Sequence, residues 1–198
     1  MQDFDKIIGN EDVIEHIKNA IATNKVSHAY IIQGEEGMGK KLIAGVFAKT
    51  LQCETGEVST CGRCKSCIQY ESGNHPDIIW VKHDKASIGV DDVRSQVNAD
   101  IQIKPYSSRY KIYIINDADK LTEQAQNALL KTIEEPPAYA ILILLAANTS
   151  SLLSTILSRC IVLNLKPVDR QKIMELLMET YQVPDYLART AALFSGGN

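Results

Sequence analysis

The chain has 198 residues, 45% hydrophobic and 23% charged, with a formal net charge of -3, a make-up that suits one globular core of substantial size. A slightly acidic chain has no whole-molecule attraction for nucleic acid, so such a contact would need a local patch or a partner. No apolar run reaches the roughly 20 residues needed to span a bilayer, and Met1-Gln-Asp-Phe-Asp-Lys lacks the basic-then-apolar build of a signal peptide, so we expect a cytoplasmic location without membrane contact.

After Ile7-Ile8-Gly9, Asn10 is placed to cap a helix in which Val13, Ile14, Ile17 and Ile21 recur at helical spacing to about residue 22. The short apolar run 29–33 reads as a strand. It runs into Gly34-Glu-Glu-Gly37-Met-Gly39-Lys40-Lys41, and 41–51 reads as a helix. Strand, glycine-rich turn and helix form the context of a phosphate-binding loop, whose N–H groups and Lys40 would face an anion at the helix's positive end. The alternative is an ordinary glycine-rich turn. The motif ends in Ser or Thr because that hydroxyl helps to hold Mg²⁺. Here the position is Lys41, and an ammonium there would compete with the metal.

Residues 52–76 depart from this pattern. Cys53, Cys61, Cys64 and Cys67 are four of the five cysteines, and two overlapping C-x-x-C units with a fourth thiol supply enough soft ligands for a closed, structural Zn²⁺ site. An iron–sulfur cluster or free thiols are the alternatives. His75 and His83 are further possible ligands that read better as surface or turn residues. Lys49, Arg63 and Lys65 lie near the cysteines, offset by Glu54, Glu57 and Glu71.

A strand at 77–81 precedes a helix with Val90, Val93, Val97 and Ile101 on one face, and 105–108 is a loop. The strand 111–115 ends in Asn116-Asp117, where phosphate-loop NTPases carry an acidic Mg²⁺ ligand and often a Glu that positions water. Asn116 is neutral and Asp117 is a methylene shorter than Glu, so the pair reads as a relic metal site, or simply as a strand end. Thr122 caps a helix to 135 with Ala125, Leu129, Leu130 and Ile133 inward, stopped by Pro136-Pro137. Residues 140–146 form the most apolar run and read as a central parallel strand with Asn148 at its carboxyl end. A short helix at 152–158, Arg159, and a fifth strand at 160–165 follow, with Cys160 as a buried small apolar group. Beyond Pro167 only helical patterns occur. The boundary is expected near Lys166. The Ser195-Gly-Gly-Asn198 end reads as a turn, so we expect the chain to continue in a larger protein.

Several stretches together resemble the bacterial clamp-loader subunits of the AAA+ class, which belong to the replicative DNA polymerase III holoenzyme. They are Ser27-His28-Ala29-Tyr30, the four-cysteine insert after the loop helix, the run from Asn127 to Pro137, and Ile156-Leu157-Ser158-Arg159-Cys160. The resemblance implies a three-layer α/β fold with a parallel five-stranded sheet over 1–166, a zinc-knuckle insert at 52–76, and the start of an all-α lid at 167–198. Within the family, Lys40-Lys41 and Asn116-Asp117 resemble the delta-prime branch, whose nucleotide sites are degraded, more than tau and gamma with their Gly-Lys-Thr and Asp-Glu. The implied role is a non-hydrolysing subunit in a hetero-oligomer with tau/gamma and delta, acting with the sliding clamp and, through the assembly, with primer–template DNA. Arg159 would be an arginine finger for a neighbour's ATP; by its local context alone it would cap the preceding helix. Asn148 would be the sensor. Gly34, Gly37, Gly39, Lys40, Lys41, Asn116 and Asp117 would be a nucleotide site of doubtful ATP and Mg²⁺ binding. The alternatives are an active ATPase of the same family and a zinc-dependent nucleic-acid-binding module.

Overall fold

The computed structural model describes residues 3–83 and 85–197. Strands β1 (Ala29–Gln33), β2 (Ile78–Val81), β3 (Lys111–Ile115), β4 (Ala140–Ala146) and β5 (Ile161–Asn164) form one sheet in the order β2-β3-β4-β1-β5. Every pairing is parallel. Strand β1 is therefore followed by a strand at the far edge, the chain returns through β3 and β4, and β5 lies on the other side of β1. The crevice at such a change of direction lies at the carboxyl ends of the strands.

Side-chain alternation assigns the two faces. Tyr30, Ile32, Ile112, Ile114, Ile143 and Leu145 pack on one face with helices α1 (Glu11–Ala22) and α2 (Lys40–Gln52). Ile31, Tyr113, Ile115, Leu142 and Leu144 face the other way. There they meet α4, which runs from Val90 to Val93 and continues as a π-helical turn Arg94–Asn98, and α5 (Glu123–Glu134). All seven residues of β4 are buried, as a central strand covered on both faces requires. The three-layer α/β architecture expected from the sequence is what forms.

The π turn alters the reading of 90–101. Val93, Val97 and Ile101 are buried and Val90 is half-buried. Four-residue spacing drifts off a 3.6-residue face, and a wider turn keeps it inward. Asn10 also departs from expectation. It has a left-handed backbone (φ 56°), and its side chain makes no cap bond to α1. Its Oδ1 instead accepts from Lys166 N at 2.6 Å, and its Nδ2 donates to Lys166 O at 3.1 Å. It thus ties the amino terminus of α1 to the segment after β5.

Beyond β5 come α7 (Arg170–Tyr181) and α8 (Asp185–Phe194), with no further strand among the described residues. They rest on the α1 end of the sheet domain. Lys172 pairs with Glu11 and Lys166 with Asp12, and Val168 N donates to Gly197 O at 2.9 Å. Among the described residues no helix is long and apolar enough to cross a membrane.

Candidate functional site

The phosphate-loop residues sit where the motif requires them, between the carboxyl end of β1 and the amino terminus of α2. Gly37 (φ 90°) and Gly39 (φ 79°) adopt the left-handed backbone that the turn demands. Lys40 Nζ donates to Gly34 O at 2.5 Å and Glu35 O at 2.7 Å, so the loop's own carbonyls hold the ammonium. Lys41 is solvent-exposed. The expectation that its ammonium fills the metal position is corrected: Lys41 removes the hydroxyl ligand and leaves its charge at the surface.

One feature escaped the sequence. A cavity of 770 Å³ opens beside Gly37 and Gly39, walled by Ile7, Ile8, Met38, Leu42, Leu176 and Tyr181. These residues come from the amino-terminal segment, the loop, α2 and α7. The apolar pair Ile7-Ile8 ahead of α1 was its only local signal. The glycine-rich turn thus lies at one end of a mostly apolar cavity, an arrangement that suits a ligand with an anionic and a flat apolar part.

At the end of β3, Asn116 and Asp117 are half-buried. Asp117 has a left-handed backbone (φ 52°), and its carboxylate lies 3.3 Å from Lys120 Nζ. The acidic group that does reach across the strand ends is Asp119, whose Oδ1 accepts from Ala147 N just after β4. Asn148 is exposed, and its Oδ1 accepts from Ser150 N at 2.8 Å, which closes a tight turn. The neighbouring Thr149 hydroxyl donates to Gln33 Oε1 at 3.1 Å and links the ends of β4 and β1.

Arg159 follows the short helix α6 (Ser154–Leu157). Its Nη1 donates to Thr155 O at 3.0 Å and to Ser158 Oγ at 3.2 Å, while Nη2 lies 3.1 Å from Glu134 Oε1 at the end of α5. The side chain is 39% exposed. The local helix-end contact expected of it is thus present, together with a carboxylate partner 25 residues earlier in the chain. Cys160 is half-buried rather than buried, and burial pushes its thiol up to about 11.

The four cysteines converge. Cys53 caps the carboxyl end of α2, and Cys64 caps the amino end of α3 (Lys65–Glu71). Between them Gly62 (φ 66°) makes the tight turn. All four Sγ atoms lie within 4.8 Å of one another, and those of Cys53 and Cys67 are 3.8 Å apart. A tetrahedron with Zn–S bonds of about 2.3 Å has edges of about 3.8 Å, so the spacing fits. Backbone N–H groups of Cys61, Cys64 and Cys67 donate to Cys53, Cys61 and Cys64 Sγ at 3.4, 3.3 and 3.4 Å, as anionic sulfur favours. The N–H groups of Arg63 and Cys64 lower the Cys61 thiol to about 6, whereas burial raises that of Cys67. The cluster can hold a metal ion, and its four-sulfur donor set is consistent with zinc in a closed, structural site.

The histidines are not part of this set. His75, read from sequence as a surface or turn residue, is buried; Asp77 N donates to its Nδ1 at 3.1 Å, and Ser66 Oγ lies 2.9 Å from its Nε2. His83 Nδ1 lies 2.8 Å from Lys85 O. Lys49, one of three cations that could favour nucleic acid, is also corrected: it is fully buried and pairs with Glu71 on α3 at 2.5 Å. Arg63 and Lys65 remain exposed.

Comparison with known proteins bears on this geometry. Over 174 residues, 87% of this chain and 25% of the relative, the chain is 39% identical to the DNA polymerase III subunit tau/gamma of Haemophilus influenzae. It is 35% identical over 180 residues to the DNA polymerase III subunit delta' of Bacillus subtilis, covering 91% of this chain and 54% of that one. The chain therefore spans between a quarter and about half the length of these relatives. Among solved structures, a DNA polymerase III gamma subunit-related protein from Thermotoga maritima superposes over 93% of this chain and 57% of its own, with 23% identity and a TM-score of 0.59. The Thermotoga maritima RuvB Holliday junction branch migration motor superposes over 100% of this chain and 60% of its own, with 18% identity and a TM-score of 0.66. Both share the fold described above, a parallel five-stranded sheet between layers of helices. The family model for DNA polymerase III, delta subunit, matches residues 9–169, the sheet with its loop and cysteine insert, and the chain belongs to that family.

Proposed function

We propose that the chain is a non-hydrolysing clamp-loader subunit of the DNA polymerase III assembly. In this reading it stands beside tau/gamma-type and delta-type subunits, helps to load a sliding clamp onto primed DNA, and supplies Arg159 to the ATP site of a neighbour. The supporting observation is the paired loss at one metal. Lys41 replaces the hydroxyl ligand, and Asn116 replaces the carboxylate at the other contact, while the loop, the sheet and the cavity remain in order. Losing both contacts removes the electrostatic stabilisation that phosphoryl transfer needs. A guanidinium at the surface, held by Thr155 O and Glu134, can still be offered to another subunit. Zinc in the four-cysteine cluster would be structural, and residues 167–198 would begin a helical lid.

The test is a reconstituted loader in which this chain carries Arg159→Ala. An arginine finger in trans is worth on the order of 10³–10⁵ in rate at the site it serves, so we expect DNA-dependent ATP turnover at that site to fall by a comparable factor, with assembly by gel filtration unchanged. Unchanged turnover removes the finger role.

A second reading, an active ATPase of the same family, draws on the cavity beside the loop and on the tau/gamma relatives. Hydrolysis of Mg-ATP by the isolated chain, abolished by Lys40→Ala, would replace the first reading.

A further inference from the structure

Arg159 stands just past the end of α6, a helix of four residues. Its two Nη1 contacts, to Thr155 O and Ser158 Oγ, are made within that same turn and move with it. The contact from another element is Glu134, whose Oε1 lies 3.1 Å from Nη2. Glu134 is the last residue of α5, and α5 is firmly placed: Thr122 caps it, and Ala125, Leu129 and Ile133 are buried in the core. The same helix also sets the lead into α6. Gln126, itself buried, donates from Nε2 to Ser151 O at 3.0 Å, and its Oε1 accepts from Leu153 N at 2.8 Å. Helix α5 thus grips the Arg159 turn at two points, about 12 Å apart along its axis.

The place of Glu134 is unfavourable by itself. The carboxyl end of a helix carries the negative end of its dipole, which repels a carboxylate and attracts a cation. The Arg159 guanidinium balances the glutamate there. Both side chains are exposed, so the pair adds little to the stability of the fold. Its consequence is geometric. An arginine loses rotamer freedom when it meets an oxyanion, and a guanidinium that is already oriented loses less. The contacts to Thr155, Ser158 and Glu134 use Nη1 and Nη2. They do not use Nε–H, which is left to donate to a phosphate oxygen.

We propose that Glu134 is a positioning residue: its carboxylate, fixed at the end of α5, holds the Arg159 guanidinium in one orientation at the surface, ready for a triphosphate on a neighbouring subunit. The inference rests on reading Arg159 as a finger and adds the residue that aims it. Glu134 itself touches no reacting atom and acts through Arg159 alone.

The experiment uses a reconstituted loader in which this chain carries Glu134→Ala, Glu134→Asp, Arg159→Ala, or Glu134→Ala together with Arg159→Ala. DNA-dependent ATP turnover is measured over a range of ATP concentrations. Glu134 is exposed, so its replacement leaves the core intact, and gel filtration checks assembly. Glu134→Ala should lower kcat at the site that Arg159 serves by about threefold to fivefold, the scale of an exposed ion pair. The KM for ATP should stay within about twofold of the parent value. Glu134→Asp, which keeps the charge, should recover most of the loss. In the Arg159→Ala background, Glu134→Ala should have no further effect. A further loss in that background would show that Glu134 acts other than through Arg159, and overturns the inference. Unchanged or faster turnover with Glu134→Ala, while Arg159→Ala lowers it, also overturns the inference and leaves the finger role standing. If Arg159→Ala leaves turnover unchanged, the finger reading itself fails, and the positioning role with it.

Discussion

The His75 ring is enclosed between Ser66 of α3 and the segment leading into β2. Asp77 N donates to Nδ1, which leaves Nε2 as the protonated nitrogen facing Ser66 Oγ. Burial lowers its pKa from the ordinary value, and the Asp77 carboxylate opposes this only in part. That carboxylate is itself occupied, accepting from Tyr106, Ser107 and Ser108 N at 2.6, 2.9 and 3.0 Å, which fixes the loop before β3. A group whose folded pKa is depressed binds fewer protons in the fold than in the unfolded chain. Stability therefore rises with pH wherever the unfolded state is the more protonated. The contribution of neutral His75 is complete above the unfolded value of 6.5 and is lost as pH drops through that value toward the lower folded one. Cysteine ligands also lose metal in acid, so the contrast lies in a difference. Urea midpoints of the parent chain and of His75→Asn, measured from pH 8 to pH 5, should converge as the pH falls. A gap that stays constant rules out titration of this ring.

Helix α2 joins the glycine-rich loop at one end to the cysteine cluster at the other, and its middle is packed against α3 through a close approach. A Cβ on Gly45 would come 2.2 Å from Tyr70 Oη, but 3.5 Å from Tyr70 Cζ. Glycine inside a helix costs about 1 kcal/mol relative to alanine, so steric room for the Tyr70 hydroxyl outweighs propensity at this position. The ring matters because Lys49 Nζ lies 5.8 Å from its centroid while pairing with Glu71, which keeps a fully buried cation among partners of α3. Gly45→Ala should lower stability by about 1–2 kcal/mol, since overpacking exceeds the propensity gain. Combined with Tyr70→Phe, which leaves an ordinary contact, the loss should largely vanish. A urea-denaturation double-mutant cycle with additive effects would show that the hydroxyl is not the obstacle. None of this is visible in a pattern of residues: Gly45 reads as a mild helix defect until Tyr70 is placed against it. By contrast, the ends of β1, β3 and β4 are legible to the residue. Both faces of those strands are buried, so their apolar runs are unbroken. Long-range polar pairings left no such trace. Asn10 meets Lys166, and Glu134 meets Arg159, across separations that no local periodicity records. The cavity beside the loop escaped for the same reason, since Ile7 and Tyr181 come from opposite ends of the chain.

Across the whole molecule, a large apolar core and a small cysteine cluster are joined through α2. The sheet and its flanking helices bury two large apolar clusters, and this core needs no ion. Residues 53–64 contain no regular element. Their order rests on the sulfur cluster, on Cys53 as the cap of α2 and on Cys64 as the cap of α3. Metal removal should therefore unfold the insert and leave the sheet, unlike a small zinc domain that unfolds entirely. The single tryptophan reports on the junction. Trp80 on β2 is half-buried, and its ring lies beside Gly45, against which Tyr70 of α3 packs. Stripping the metal with a strong chelator should release one zinc per chain, detected by a colorimetric dye, and shift Trp80 emission to the red as α3 lifts away. The far-UV circular dichroism should fall only by about the share of α3, a seven-residue helix in this chain. Cys67→Ser should give the same spectrum without chelator, because it removes one of the two buried ligands. Loss of most of the helical signal would show instead that sheet and insert unfold as one unit. An unmoved Trp80 would show that the Lys49–Glu71 pair and the Tyr70 packing hold α3 in place without metal.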